Sequence, residues 1–196
     1  MTESKIGIVG AGAWGTALAQ VLSEDQEEVL LWAREPELVK AITERHENHL
    51  FLAGHPLRHN IIATNDITQL HKCTAILIVT PAQHLRSSLA TLSETGAILI
   101  LCSKGIEANS KMLMSELTKE LHPKNPLAVL SGPTFAHEVA RGLPTALTLA
   151  CESRSVWEQI NPLIAKPSFR PYFSDDIIGA EIGGAVKNVL AIGCGV

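Results

Sequence analysis

Six short apolar runs, separated by helix-patterned or polar segments, most tightly limit how this chain can fold. They read KIGIVG, EEVLLWA, AILIVT, AILILCS, PLAVLSG and TALTLA. All are rich in Ile, Leu and Val, and most lack a strict in–out alternation. Strands covered on both faces read this way, and such strands belong to parallel sheets. Between the runs, helical spacing of apolar residues predicts helices over 16–23, 37–47, 85–92, 112–121 and 156–164. Strand alternating with helix at this pitch means βαβ units and an α/β fold with a doubly wound, mostly parallel sheet.

The first run passes directly into Gly10-Ala11-Gly12-Ala13-Trp14-Gly15 and then into TALAQVLS. A GxGxxG set between a strand and a helix is a dinucleotide-binding turn of the Rossmann type. Gly10 allows the tight turn, Gly12 lets backbone approach a pyrophosphate, and Gly15 permits close helix–strand contact. Ala13 and Trp14 lie inside the same turn. The helix end adds unpaired N–H groups and a positive dipole for the phosphates.

Cofactor choice is written about 20 residues further on, at the end of the second strand. That place reads Trp32-Ala33-Arg34-Glu35. An acid directly ending the strand would hold the ribose 2′-OH of NAD. Arg34 comes first instead, and suits a 2′-phosphate or stacking on adenine. NADP is the favoured cofactor, and NAD stays open because Glu35 could turn inward.

Ligands of doubly wound sheets sit beyond the carboxyl ends of the strands. Those ends carry Thr80-Pro81, Ser103-Lys104-Gly105 and Ser131-Gly132-Pro133-Thr134. Lys104 is the only charge among them, placed to meet an anion or else a surface lysine. After Asp175-Asp176, which reads as a helix cap, an apolar helix runs to the end of the sequence and leaves the sheet. Its only charges are Glu181 and Lys187. Gly183 and Gly184 precede Lys187 by one helical turn and leave that face bare. A lysine there can exchange a proton with a close ligand, or it can snorkel out of a packed helix. So apolar a helix needs partner surface, so the chain is expected to be the first part of a longer protein. The expected division is a dinucleotide-binding domain over 1–175 and the start of a second domain over 176–196.

Composition narrows the function. The chain has 196 residues, 46% hydrophobic and 18% charged, with net charge −4. Acidic balance with scattered cations argues against nucleic acid or an anionic membrane as partner. No apolar stretch reaches the roughly 18–20 residues of a membrane span. Cys73, Cys102, Cys151 and Cys194 form no CxxC pair and read as free buried thiols of a cytoplasmic protein. His46 with His49, and His55 with His59, have spacings a metal could use, but they sit in a polar loop without further ligands, and no metal is expected.

Taken together, GAGAWGTALA, VLLWAREPE, SKGIE, SGPTFAHEVARGLPTA and DIIGAEIGGAVKNVLAIGCG resemble the bacterial-type NAD(P)-dependent glycerol-3-phosphate dehydrogenases. The resemblance implies hydride transfer between NAD(P)H and dihydroxyacetone phosphate or sn-glycerol 3-phosphate, which supplies the glycerophospholipid backbone. It also implies that Trp14 and Arg34 touch the cofactor and that Lys104 lies between cofactor and substrate. Gly132 and Thr134 would hold substrate, Ala136 would line the nicotinamide end, and Lys187 would be the catalytic lysine. The family usually has Leu-Pro-Gly where this chain has Leu52-Ala53-Gly54, which bears on loop stiffness. Family members carry a further all-helical domain that completes the substrate site, and a homodimer would form through it. The 196 residues alone are therefore expected to be inactive. Two alternatives stay open: an isolated dinucleotide-binding module without turnover, and another β-hydroxyacid-type reductase.

Overall fold

The apolar runs become strands because each can bury both of its faces. The computed structural model describes residues 6–195. Its strands are β1 Ile6–Val9, β2 Val29–Trp32, β3 Ile61–Thr64, β4 Ala75–Ile78, β5 Ile98–Leu101, β6 Leu127–Ser131, β7 Thr145–Cys151 and β8 Phe169–Ser174. The helices are α1 Ala13–Leu22, α2 Pro36–Arg45, α3 Leu85–Thr91, α4 Met114–Leu121, α5 Ala136–Ala140, α6 Arg154–Ile164 and α7 Ile177–Cys194. One sheet holds the strands in the order β3-β2-β1-β4-β5-β6-β7-β8. Every pairing is parallel except β6 with β7.

Successive strand residues feed opposite layers. Ile8, Leu31, Leu77 and Ile100 join Leu18 and Leu22 of α1 and Ile160 and Ile164 of α6 on one face. Val9, Leu30, Ile76 and Leu99 join Leu85 and Leu89 of α3 and Leu117 of α4 on the other. These side chains are almost wholly buried, and each contributes roughly 1.5–3 kcal/mol relative to exposure. The chain winds outward from β1 to β3, then returns to place β4 on the other side of β1. That reversal opens a crevice at the carboxyl ends of β1 and β4, where such sheets bind their ligands.

Two strands, β3 and β8, lie outside the six runs. In β3 only Ile61 and Thr64 are buried, and in β8 only Phe169 is. Both are sheet edges, and Pro171 is tolerated in β8 for that reason. Strand β7 is antiparallel to β6, and from Thr145 to Leu149 its residues alternate in burial. Of the cysteines, Cys73, Cys102 and Cys151 are buried free thiols, but Cys194 is exposed.

Asp176 caps α7 by accepting the N–H of Gly179 at 2.7 Å. The helix does not leave the sheet at once: its first turns lie against β6 and β7. Further along, Val189, Leu190 and Ile192 are 61–71% exposed. Among the described residues, no helix is long and apolar enough to cross a membrane.

Candidate active site

The glycine loop has three different reasons for its three glycines. Gly10 turns the chain at φ +114°, and a Cβ there would lie 3.1 Å from the Val79 carbonyl oxygen. At Gly15 a Cβ would come within 1.8 Å of the Gly10 carbonyl oxygen. Both glycines are therefore demanded by the protein's own backbone. Gly12 is different: a Cβ there meets nothing within 4 Å, so no neighbouring group of the chain requires a glycine at this position. Gly12 also caps α1, with no side chain bonded to the first-turn N–H groups. They remain available to an anion.

A cleft of about 890 Å³ opens in front of this loop, within the usual range for ligand pockets. Trp32, Arg34 and Glu35 bound it at the end of β2, Phe51 and Asn65 flank it, and Thr80 stands at the end of β4. The Thr80 hydroxyl is buried without a hydrogen-bond partner. Arg34 donates to Glu35 Oε1 from Nε at 3.1 Å and Nη2 at 2.9 Å. Its side chain is 81% exposed, and an exposed ion pair of this kind opens at a cost of about 0–1 kcal/mol. The residues present thus fit a dinucleotide.

A second cavity of about 340 Å³ adjoins the first and is lined by Lys104, Gly132, Gly184 and Lys187, among others. Lys104 Nζ donates to the Gly132 carbonyl at 3.1 Å. Its aliphatic stem lies under Gly184 of α7, where a Cβ would come 3.5 Å from Lys104 Cγ. Burial, and then the nearby charge of Lys187, push the Lys104 ammonium below the ordinary lysine range. The loop carrying Lys104 is braced from α3: Arg86 grips Glu107 at 2.8 and 2.9 Å. That guanidinium and the Ser110 hydroxyl hold the Glu107 carboxyl down at about 2. Lys187 itself is exposed, with Nζ 6.0 Å from the centroid of the Phe135 ring.

Gly10, Gly12, Ala13, Trp14, Gly15, Arg34 and Lys104 all line the larger cleft. Lys104, Gly132 and Lys187 meet at the smaller one. Thr134 and Ala136 line neither; they flank Phe135, and Ala136 opens α5, which packs on α1. Sequence reasoning missed the cleft positions of Trp32, Phe51 and Asn65, and Thr148 in the smaller cavity. Phe51 and Asn65 sit in or beside stretches read only as loop, with no charge or spacing signal. The histidines pair across the expected groupings: His59 Nδ1 and His46 Nε2 are 2.8 Å apart. Among the described residues, no group of three metal-ligating side chains forms.

Comparison with known proteins agrees with this geometry. The family described as "NAD-dependent glycerol-3-phosphate dehydrogenase N-terminus" matches residues 5–157. A glycerol-3-phosphate dehydrogenase [NAD(P)+] of Erythrobacter litoralis is 56% identical over 193 residues, covering 98% of this chain and 58% of that protein. The protein of the same name from Caulobacter vibrioides is 54% identical, covering 100% of this chain and 60% of its own length. The crystal structure of glycerol-3-phosphate dehydrogenase from Coxiella burnetii superposes with a TM-score of 0.88 at 34% identity, covering 97% of this chain and 59% of that one. The chain therefore spans somewhat under two thirds of the length of these relatives. On the family match and these identities, the chain belongs to the NAD-dependent glycerol-3-phosphate dehydrogenase family, whose N-terminal region it corresponds to.

Proposed function

We propose that this chain is the dinucleotide-binding part of an oxidoreductase moving a hydride between NAD(P)H and dihydroxyacetone phosphate or sn-glycerol 3-phosphate. One observation carries the reading: Lys104 lines both clefts, so a single cation faces the cofactor space and the smaller cavity together. A nicotinamide bound in the larger cleft supplies the hydride, and the protein orients it. Lys104 offers positive charge to the substrate oxygen on which negative charge develops, and Lys187 gives or takes the proton there. Gly132 and Thr134 hold the substrate, and Ala136 borders the nicotinamide end. Arg34 favours a 2′-phosphate, so NADP is preferred and NAD accepted. The three buried free thiols suit the reducing cytoplasm.

The exposed Val189, Leu190 and Ile192 suit burial under a helical second domain beginning at residue 176, through which a homodimer would form. In isolation the 196 residues then act as a binding module without turnover, because Lys187 is uncovered. The test is NADPH oxidation by a full-length protein carrying this chain. Turnover with dihydroxyacetone phosphate and none with unphosphorylated dihydroxyacetone or β-keto acids is expected. Preference for an unphosphorylated acid would overturn the reading in favour of another β-hydroxyacid-type reductase.

A further inference from the structure

Asn48 belongs to no helix or strand, lying in the segment between α2 and β3, yet it is fully buried. Its side-chain amide makes three hydrogen bonds. Nδ2 donates to the Ala11 carbonyl at 2.8 Å and to Thr16 Oγ1 at 2.7 Å. Oδ1 accepts the Phe51 N–H at 3.0 Å. Thr16 Oγ1 in turn donates to the same Ala11 carbonyl at 3.3 Å. One amide thus joins the middle of the glycine loop to the segment that carries Phe51 to the cleft.

The consequence follows from peptide geometry. In a planar trans peptide the carbonyl of one residue and the N–H of the next point in opposite directions. Flipping the Ala11–Gly12 peptide rotates ψ of Ala11 and φ of Gly12, and the glycine on its C-terminal side freely allows that rotation. Asn48 and Thr16, both buried, draw the Ala11 carbonyl into the protein interior. The Gly12 N–H, on the opposite side of the same peptide plane, then points away from that interior. A flipped peptide would instead present a carbonyl to the phosphates, which repels an anion. We propose that Asn48 is a positioning residue for the cofactor: it locks the Ala11–Gly12 peptide with its N–H toward the pyrophosphate and seats Phe51 on the same cleft. The inference rests on the dinucleotide reading above.

The experiment is titration of this chain with NADPH and, separately, with adenosine 2′-phosphate, which has no pyrophosphate, followed by quenching of Trp14 and Trp32. Asn48→Ala should weaken NADPH about 10- to 100-fold, as for a lost buried hydrogen-bond partner, and leave adenosine 2′-phosphate within about twofold. Thr16→Val, nearly isosteric and lacking the hydroxyl, should shift NADPH in the same direction by a smaller factor, and it decides the matter if Asn48→Ala does not fold. Unchanged NADPH affinity in the folded variants, or equal weakening of both ligands, would overturn the inference. A wild-type chain that binds neither NADPH nor NADH would overturn the dinucleotide reading and this inference with it. A wild-type chain that binds NADPH no better than Asn48→Ala and Thr16→Val would remove only the role of Asn48.

Discussion

The carboxylate of Glu181 on α7 accepts two hydrogen bonds from Ser115 at the start of α4, from its N–H at 2.8 Å and its hydroxyl at 2.5 Å. The acid is buried and meets the positive end of a helix. It fixes how α7 lies on the sheet, and hence where the helix carries Gly184 and Lys187.

Burial raises the Glu181 carboxyl above its ordinary value of 4.5, against the lowering effect of the Ser115 hydrogen bonds. With a raised value, the folded chain keeps a proton that the unfolded chain has released. The contribution of this group to stability is therefore fully present below about 4.5 and declines as pH rises through the raised value. Glu181→Gln should remove that decline, whereas Glu181→Ala, which leaves a Ser115 N–H unpaired, should cost about 1–3 kcal/mol. Urea melts between pH 4 and 7 read both effects. An Ala variant as stable as the wild type would show that the contact does not anchor α7.

The glycine loop separates fold from function by two substitutions. Gly15→Ala drives a Cβ against the Gly10 carbonyl and should cost about 1–3 kcal/mol or more, as overpacking does. Gly12→Val enters open space, so it should leave the melting temperature nearly unchanged and abolish NADPH binding measured by calorimetry. Retained binding in Gly12→Val would mean the cofactor lies elsewhere.

Arg34 is predicted to select the phosphorylated cofactor. Removing it as Arg34→Ala frees Glu35 from its ion pair and should weaken NADPH more than NADH by about 1–3 kcal/mol. Affinities for both cofactors, titrated side by side, check this. Equal loss for the two would show Arg34 to be a solvated loop charge.

The parts of this architecture written in local sequence were legible. Central strands read clearly because both faces are buried, and the glycine loop read clearly because its backbone demands are local. Strands β3 and β8 did not, since an edge strand buries only part of its residues and Pro171 breaks the pattern. Helix α5, five residues long, is too short to show a period. Lys104 stood out as a charge ending a strand. Asn48 and Glu181 did not, because their meaning lies in partners 37 and 66 residues away. Cys194, expected to be buried with the other three thiols, lies instead on the exposed end of α7.

Lys187 carries the central claim. It lines the smaller cavity with Lys104 and is exposed along this chain. In a full-length enzyme containing this chain, the turnover number of Lys187→Met with NADPH and dihydroxyacetone phosphate is the most direct measurement. A fall of about 10²–10⁴-fold, the usual worth of a positioned proton donor, with NADPH affinity nearly intact, is the predicted result. Normal turnover in that variant would contradict the account and leave Lys187 a structural residue.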